Sequence, residues 1–364
     1  MSVSCGIVGL PNVGKSTIFS ALSEAKAEVG NFPFCTIDPN TAIVEVPDQR
    51  LFEIHSRINT QKVIPAVVKV VDIAGLVKGA SEGEGMGNKF LSNIKECDAV
   101  MQVVRCFGGD KVLRDEAIDP LGDIEIIEME LALADLATVE RNIERIAKKI
   151  RLGDKEVAAQ HATFVKAQGV LADGQQLRSA EWKDEELAHL KPMFLMTIKP
   201  MLYVANVADD DLDGENEWCQ AVAKHAAEHN CQWIPICGDL ELELRNLDSD
   251  EDREMFMEDL GVKELGLGPL IQSVYKLLGL QTYFTAGEKE VRAWTIHQGD
   301  SAPVAAGVIH TDFEKQFIRA EVYSVDDLVE HQSEQAIKAA GKMRTEGRDY
   351  VMRESDIAHF LLGG

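Results

Sequence analysis

The chain has 364 residues, of which 45% are hydrophobic and 27% are charged, a balance typical of a globular protein with about two or three domains. Its 37 basic and 61 acidic residues give a formal net charge of −24, so the protein as a whole repels nucleic acid and any RNA contact requires a local basic patch. The sequence has no run of the ~18–20 apolar residues that a membrane span needs, and a functional motif begins almost at the N-terminus, so we expect a cytoplasmic protein without a membrane or DNA partner.

The opening segment of the chain alternates short β-branched strands with helices. We predict strands at 6–8, 67–71 and 99–104, and helices at 16–25 and 86–96. Strands that alternate with helices pair in parallel and are covered on both faces. This segment therefore predicts an α/β fold with a parallel sheet.

A helical pattern replaces the alternation from about residue 123. Apolar residues follow one another at intervals of three and four, at Leu136, Val139, Ile143, Ile146 and Ile150. This spacing is typical of a helical hairpin or a short coiled coil. Because strands return at 201–205 and 232–236, we interpret the hairpin as an arm inserted into one α/β domain.

The composition changes again after residue 280. Short strands are predicted at 282–285, 291–295 and 317–322, with few long helices between them. This last segment predicts a separate, small α+β domain.

A glycine-rich segment lies between the first predicted strand and the first predicted helix. Residues 9–17 read GLPNVGKST and fit the pattern Gly-x4-Gly-Lys-[Ser/Thr]. The glycines let consecutive backbone N–H groups face an anion, and the N-terminus of the helix adds its dipole. In such a phosphate loop Lys15 reaches the β- and γ-phosphates and the Ser16 hydroxyl binds Mg²⁺. The candidate nucleotide-binding residues here are Asn12, Val13, Gly14, Lys15, Ser16 and Thr17.

Two further segments predict a magnesium and γ-phosphate site. Asp72-Ile-Ala-Gly75 follows a predicted strand, where the aspartate holds a Mg²⁺-bound water and the Gly75 N–H contacts the γ-phosphate. Thr36 lies in the loop after the first helix, where a threonine can close over Mg²⁺ when the γ-phosphate is present. We therefore predict Ser16, Thr36 and Asp72 as metal ligands, and Lys15, Thr36 and Gly75 as catalytic residues.

The segment Asn206-Val-Ala-Asp209 ends the strand at 201–205, where a base-reading loop is expected. Guanine-specific proteins have Asn-Lys-x-Asp at this point, with the lysine stem packed on the base and the aspartate accepting from guanine. Val207 replaces that lysine, so half of the guanine signature is missing. Asn206, Val207 and Asp209 are the candidate base contacts, and these residues leave the base preference open.

Longer stretches around these motifs resemble the YchF or Obg-like ATPases, a family of translation-factor-related P-loop NTPases. The matching stretches are 9–17, NFPFCTIDPN at 31–40, VDIAGLVKGA at 71–80, LALADL at 131–136, 203–207, QTYFT at 281–285, and 302–322 with IHTDFEK and FIRAEV inside it. The resemblance covers nearly the whole chain and is weakest across the arm.

The resemblance implies a Ras-like nucleotide domain at 1–278 with a helical arm inserted at about 121–195, followed by a TGS domain with a β-grasp fold at 279–364. It implies slow, Mg²⁺-dependent hydrolysis of ATP in preference to GTP, stimulation by K⁺, and association with the ribosome or ribosomal RNA in translation or stress regulation. It also implies that the Asn206 side chain and the Val207 backbone read adenine, and that Asn12 helps to hold K⁺.

Three positions depart from the patterns of related hydrolases. The family usually has glutamate where this chain has Asp209. Arg114 stands where relatives often carry a histidine implicated in hydrolysis; an arginine cannot act as a general base but can stabilise charge on the γ-phosphate, so it is a further catalytic candidate. Leu76 replaces the glutamine that orients water in Ras-type enzymes, which predicts turnover of about 10⁻⁴–10⁻³ s⁻¹ without an activator.

Two alternative functions remain compatible with the motifs. The pair Asn206 and Asp209 permits a GTP-specific GTPase of ribosome assembly, although Val207 argues against it. A nucleotide-gated RNA- or ribosome-binding module with incidental hydrolysis is the other alternative. For that module the basic residues near the arm tip are the candidate RNA contact, with a solvated helix face as the competing interpretation: Arg141, Arg145, Lys148, Lys149, Arg151 and Lys155.

Overall fold

The structure is a computed structural model that describes residues 3–24, 40–58, 60–73, 86–108, 118–150 and 155–363. The chain divides into two compact units. Unit one contains the described residues of Met1–Ala25, Ile37–Ala42 and Lys69–Leu270, and unit two contains those of Lys26–Thr36, Ile43–Val68 and Ile271–Gly364.

The described strands are, in chain order, β1 (Ser4–Val8), β2 (Thr41–Glu45), β3 (Val63–Ile64), β4 (Val67–Asp72), β5 (Ala99–Arg105), β6 (Met201–Asn206), β7 (Gln232–Ile236), β8 (Leu280–Ala286), β9 (Val291–His297), β10 (Phe317–Ser324), β11 (Arg344–Glu346) and β12 (Asp356–Leu362). The described α-helices are α1 (Lys15–Glu24), α2 (Gln49–His55), α3 (Met86–Glu96), α4 (Pro120–Ile150), α5 (Lys155–Ala172), α6 (Asp184–Leu190), α7 (Glu217–Glu228), α8 (Gly238–Arg245), α9 (Asp250–Leu260), α10 (Leu267–Leu277), α11 (Ala302–Ile309), α12 (Thr311–Gln316), α13 (Val325–His331) and α14 (Glu334–Ala339). The strands and helices predicted from the alternation of the sequence are confirmed.

The first sheet has the strand order β2-β4-β1-β5-β6-β7. β1 pairs in parallel with β4 and β5, and β6 pairs in parallel with β5 and β7. Every residue of β1, β5 and β6 is buried, as expected for the central strands of a parallel sheet. Because parallel strands share a direction, the strand ends at Val8, Asp72, Arg105 and Asn206 lie along one edge of this sheet, where α/β proteins bind ligands.

A pair of helices, α4 and α5, lies in the middle of unit one and has its own apolar core. The seam residues Val139 and Ile146 are buried, and Leu136 and Ile143 pack against them as partly buried side chains. The core also contains Phe164 from α5. The predicted helical arm is confirmed as a packed helical pair.

A buried carboxylate fixes α4 to the segment that leads into β6. Asp135 is fully buried, and its Oδ2 accepts hydrogen bonds from the Thr197 backbone N–H at 2.8 Å and from the Thr197 hydroxyl at 2.7 Å. Burial raises the pKa of Asp135 above its usual range, and the hydrogen bonds from Thr197 oppose that shift.

Unit two contains a mixed sheet with the order β11-β10-β12-β8-β9-β3. β8 and β9 pair antiparallel, β10 pairs antiparallel with β11 and β12, and β12 joins β8 in parallel. Its core includes Tyr283, Phe317, Val322 and Ala306. The strands predicted after residue 280 are therefore confirmed, and together with the short helices they form an α+β fold.

The strand β3 was not predicted from the sequence. Val63 and Ile64 pair in parallel with Val291 and Arg292 of β9, so a stretch from the first fifth of the chain extends the sheet of unit two. Hydrogen bonds on either side support the pairing, from the Gln61 N–H to the Glu288 carbonyl at 3.3 Å and from the Val291 N–H to the Lys62 carbonyl at 2.9 Å.

Among the described helices, none is both long enough and apolar enough to cross a membrane.

Candidate nucleotide-binding site

The phosphate loop connects β1 to α1 and contains two residues with positive φ. Asn12 has φ 64° and Gly14 has φ 90°, and α1 begins directly afterwards at Lys15. A Cβ atom on Gly14 would lie 2.0 Å from Nδ2 of Asn206, so position 14 requires glycine for space as well as for its backbone conformation. The predicted strand, loop and helix are therefore present, with the first turn of α1 at the carboxyl edge of the sheet.

Asn206 links this loop to the segment predicted to read the base. Its side chain is buried; Nδ2 donates to the Val13 carbonyl at 3.0 Å, and Oδ1 accepts from the Gly238 N–H at 3.1 Å. The amide thus holds the phosphate loop, the end of β6 and the N-terminus of α8 in one arrangement. The N–H of the next residue, Val207, donates to the Ile236 carbonyl at 2.9 Å.

Lys15 and Asp72 form an ion pair at the same edge of the sheet. The lysine Nζ donates to Oδ1 of the aspartate, and the two side chains are 11% and 24% exposed. The Asp72 N–H donates to the Asn40 carbonyl at 2.8 Å, which fixes the end of β4. The structure therefore brings together the lysine and the carboxylate that the sequence assigned to the phosphates and to the metal.

These residues have the donor chemistry that Mg²⁺ requires. Mg²⁺ prefers hard oxygen ligands and usually binds through a carboxylate or hydroxyl, several waters and substrate phosphates. Asp72 supplies a carboxylate that is balanced by Lys15, and Ser16 supplies an exposed hydroxyl in the first turn of α1. The described part of the site thus fits a metal shared with a nucleotide.

A cavity of about 410 Å³ opens beside the end of β6, within the range of roughly 300–1,000 Å³ typical of small-molecule sites. It lies between the segment that follows β5 and the segment that follows β6. Its walls are formed by Cys106, Phe107, Gly108, Ala208, Asp210, Asp211, Asn216 and Trp218. Asp209 is exposed and adjacent in sequence, but it does not line this cavity.

Two thiols lie beside this cavity, at the end of β5 and in the first turn of α7. A hydrogen bond to Cys219 and burial raise the pKa of Cys106 far above its usual range. The same hydrogen bond lowers the pKa of Cys219, although burial opposes the shift. Both thiols are buried.

Some of the predicted site residues lie within the described part of the chain and others lie outside it. Asn12, Val13, Gly14, Lys15, Ser16 and Thr17 all lie in the phosphate loop or in the first turn of α1. Three predicted catalytic residues, Thr36, Gly75 and Arg114, lie outside the described residues, as does Leu76.

The residues that fold the loop between β6 and α7, which forms one wall of the cavity, were not predicted from the sequence. Asp211 accepts from the Glu215 N–H at 2.8 Å and from the Asn216 N–H at 3.1 Å, and Asn216 caps α7 by accepting from the Cys219 N–H at 2.9 Å. The signal was present, because an asparagine directly before a helix is a common N-cap. The second contact of Asn216, from Nδ2 to the Cys106 carbonyl at the end of β5, had no local signature.

Two family models match the chain. A model described as a 50S ribosome-binding GTPase matches residues 4–133. A model for the C-terminal part of YchF GTPases, described as a protein of unknown function, matches residues 280–362.

Curated relatives match along almost the full length. The proteins named ribosome-binding ATPase YchF from Escherichia coli O157:H7, Haemophilus influenzae and Bacillus subtilis are 49%, 48% and 46% identical, each with 99% of both chains covered. The chain belongs to the YchF family. The resemblance stated from the motifs is thereby confirmed.

A solved structure agrees with this assignment. The Schizosaccharomyces pombe YchF GTPase matches with a TM-score of 0.89 and 38% identity, over 99% of this chain and 98% of that one. The YchF relationship therefore extends to the three-dimensional fold of both the nucleotide-binding region and the C-terminal region.

Proposed function

We propose that this YchF protein is a Mg²⁺-dependent nucleoside triphosphatase that binds and slowly hydrolyses ATP, and GTP less well, as a nucleotide-dependent conformational switch associated with the ribosome. One observation carries the proposal: the Asn206 side chain binds the Val13 carbonyl, which joins a complete phosphate loop to the base-reading segment. The relatives named ribosome-binding ATPase support the same reaction class and partner.

The phosphate loop supplies the binding step. Backbone N–H groups of 12–17 face the phosphates, and the N-terminus of α1 contributes its dipole. When a triphosphate binds, Lys15 exchanges its contact with Asp72 for the β- and γ-phosphates. The Asp72 carboxylate and the Ser16 hydroxyl are the groups that would hold Mg²⁺. Mg²⁺ bound there would neutralise charge on the phosphates.

The hydrolytic step uses residues that the sequence assigns. In this proposal Thr36 completes the metal site, the Gly75 N–H contacts the γ-phosphate, and Arg114 stabilises charge that develops on it. Leu76 has no polar atom with which to orient the attacking water, which accounts for slow turnover. A slow chemical step suits a switch, because the triphosphate state persists long enough to act on a partner.

Base selectivity in this proposal favours adenine. Val207 cannot provide the stem that packs on guanine in Asn-Lys-x-Asp proteins. Both ends of the Asn206 amide bind protein atoms, so this side chain shapes the base site by holding the loop. The exposed carboxylate of Asp209 lies outside the cavity lining, which argues against a restored guanine contact. A GTP-specific ribosome-assembly enzyme is therefore not favoured.

Asn12 is our candidate for a K⁺ contact. It is exposed in the phosphate loop, has φ 64°, and carries a side-chain amide oxygen that can accept from donors or bind a cation. Stimulation of hydrolysis by K⁺ over Na⁺ in the wild type, lost in Asn12→Ala, is the expected result.

For the ribosome we propose that the basic residues of the arm contribute contacts to RNA. Arg141 and Arg145 are exposed on α4, whereas the chain as a whole is strongly acidic, so a contact must be local. We also propose that the protein acts in the cytoplasm and has no DNA or membrane partner. The proposed domain division is a nucleotide domain at 1–278 and a TGS domain at 279–364.

The function is tested by single-turnover hydrolysis of ATP and GTP with Mg²⁺, comparing the wild type with Lys15→Ala. The matched control is Lys224→Ala, which removes an exposed lysine from α7. We expect ATP hydrolysis in the wild type and in the control, and none in Lys15→Ala. Equal hydrolysis by Lys15→Ala would refute the enzymatic assignment. Ribosome co-sedimentation that is unchanged by nucleotide would instead refute the switch.

A further inference from the structure

We infer that Asn216 is a positioning residue for the base of the bound nucleotide, because it joins the two segments that form the walls of the cavity beside β6. The inference rests on the proposed nucleotide-binding function and deepens it. It assigns base affinity, as distinct from phosphate affinity, to an asparagine outside the phosphate loop and the Asn206–Asp209 segment.

Three hydrogen bonds define the role of Asn216. Its Nδ2 donates to the Cys106 carbonyl at 2.9 Å, across from the start of α7 to the end of β5. Its Oδ1 accepts from the Cys219 N–H at 2.9 Å, and its own N–H donates to Oδ2 of Asp211 at 3.1 Å. One residue therefore contacts the β5 end, the first turn of α7 and the loop between β6 and α7.

The loop between β6 and α7 is itself folded tightly. The Asp211 N–H donates to the Ala208 carbonyl at 3.3 Å, and the Gly214 N–H donates to the Asp211 carbonyl at 3.0 Å. Gly214 has φ 67°, and a Cβ there would lie 3.0 Å from Cβ of Pro235. The loop can therefore act as one rigid wall, whose position relative to the β5 end is set by the Asn216 bridge.

The opposite wall presents an aromatic ring and backbone. Phe107 is held by Arg105, whose Nε donates to the Phe107 carbonyl at 3.1 Å and whose guanidinium lies 5.3 Å from the ring centroid. A Cβ on Gly108 would lie 3.9 Å from Cη2 of Trp218, so the two walls meet at this end of the cavity. The cavity volume of about 410 Å³ has room for a heteroaromatic base, whose affinity depends on the spacing of the walls.

The competing explanation is that Asn216 serves only as the N-cap of α7. The two roles use different atoms, because the cap needs an acceptor oxygen and the bridge needs the Nδ2 donor. Asn216→Ser keeps a cap acceptor and removes the bridge. Asn216→Asp also keeps the cap and directs a carboxylate oxygen at the Cys106 carbonyl.

The experiment is calorimetric titration of the full-length variants with MgATP and, separately, with magnesium tripolyphosphate, which carries phosphates and no base. Thermal unfolding of each variant is recorded alongside. Ser249→Ala is the control, since Ser249 caps the remote helix α9 by accepting from the Asp252 N–H. Ser249→Ala shows how the loss of a helix N-cap affects thermal unfolding and ATP binding when the cavity beside β6 is unchanged.

We expect Asn216→Ser to weaken MgATP binding about fivefold, the size expected for one lost hydrogen bond, and Asn216→Asp to weaken it further. Tripolyphosphate affinity stays within about twofold of the wild type in both variants. Unchanged ATP affinity in Asn216→Ser, or equal weakening for ATP and tripolyphosphate, would overturn the inference. A wild type that binds neither ligand refutes the proposed function itself, and this inference with it.

Discussion

Asn206 and Val13 are joined by a buried hydrogen bond of 3.0 Å between residues that lie 193 positions apart in the chain. The other end of the same amide accepts from the Gly238 N–H at 3.1 Å. A single side chain thereby connects the phosphate loop, the last residue of β6 and the first residue of α8. The geometry of the phosphate loop depends on a residue from the segment predicted to read the base.

Replacement of Asn206 should affect both stability and nucleotide binding. Asn206→Ala leaves the Val13 carbonyl and the Gly238 N–H without their buried partner, at a cost of about 1–3 kcal/mol each in the free energy of unfolding. We expect urea denaturation to show a decrease of that order in the free energy of unfolding, and calorimetry to show weaker binding of MgATP. Asn246→Ala, which removes an exposed asparagine at the end of α8, is the control and should change neither quantity. Wild-type ATP affinity in Asn206→Ala would contradict this role.

Asp72 should control the response to magnesium. Its carboxylate pairs with Lys15 at a partly exposed site, so the pair contributes only about 0–1 kcal/mol to stability. Asp72→Asn should therefore fold normally, while the gain in ATP affinity on adding Mg²⁺ falls by about tenfold. Titrations with and without EDTA measure this ratio. Asp173→Asn, at an exposed position beyond α5, should retain the wild-type ratio; an unchanged ratio in Asp72→Asn would remove the residue from the metal site.

Glu241 should make the stability of the protein depend on pH. Its side chain is 1% exposed on α8, and Oε1 accepts from the Leu267 N–H at 2.6 Å. Burial raises the pKa of Glu241 to about 7 from 4.5, against the opposing effects of Leu267 and Arg245. The folded state thus keeps its proton in a range where the unfolded state has released it.

The sign of this effect follows from proton linkage. The contribution of Glu241 to stability is greatest below pH 4.5, falls as the pH rises to about 7, and then levels off, with a total loss of up to about 3 kcal/mol. Glu241→Gln keeps an acceptor for Leu267 and cannot ionise. The stability of this variant relative to the wild type should therefore increase between pH 5 and pH 7, as measured by urea denaturation across that range. The exposed Glu243→Gln is the control, and a constant difference for Glu241→Gln would contradict the prediction.

A buried carboxylate joins the arm to the sheet. Glu128 of α4 forms an ion pair with Arg178, and its Oε1 also accepts from the Tyr203 hydroxyl of β6 at 2.7 Å. Burial and the negative charge of Glu128 raise the pKa of Tyr203 far above its usual range. The Arg178 side chain is 8% exposed, so its positive charge is shielded from water and is compensated by Glu128.

Removal of one partner from this pair should be strongly destabilising. Glu128→Ala leaves a buried, unpaired guanidinium, which typically costs about 3–5 kcal/mol. Chemical denaturation compared with the exposed Glu144→Ala on the same helix measures the loss. The double variant Glu128→Leu with Arg178→Met should recover much of it, because no unpaired charge remains. A loss below about 1 kcal/mol in Glu128→Ala would show that water compensates the arginine.

The features that could be predicted from the sequence are those determined by residues close together in the chain. The Gly-Lys-Ser spacing of the phosphate loop, the strand before Asp72 and the seam of Val139 and Ile146 all reflect short-range periodicity or turn chemistry, and the structure has each of them. The order of the parallel strands then brings Lys15 and Asp72 together, since both follow adjacent strands of one sheet.

Other features depend on contacts between distant parts of the chain. The partners of Asn206 and the bridge from Asn216 to Cys106 are set by how loops from separate strands pack, and the residue types alone do not specify them. β3 is a two-residue strand, too short to show an alternating pattern, and its pairing with β9 is equally long-range. The preference between adenine and guanine could not be predicted for the same reason. It depends on which loop atoms can contact the base, and the packing of distant loops decides that.

The most direct test is calorimetric titration of ATP and GTP into nucleotide-free protein with Mg²⁺ and K⁺ present. We predict that ATP binds at least about tenfold more tightly, a difference of about 1.4 kcal/mol, because Val207 gives no guanine contact and Asp209 lies outside the cavity lining. Tighter binding of GTP by the same margin would contradict the account and would indicate a guanine-specific enzyme.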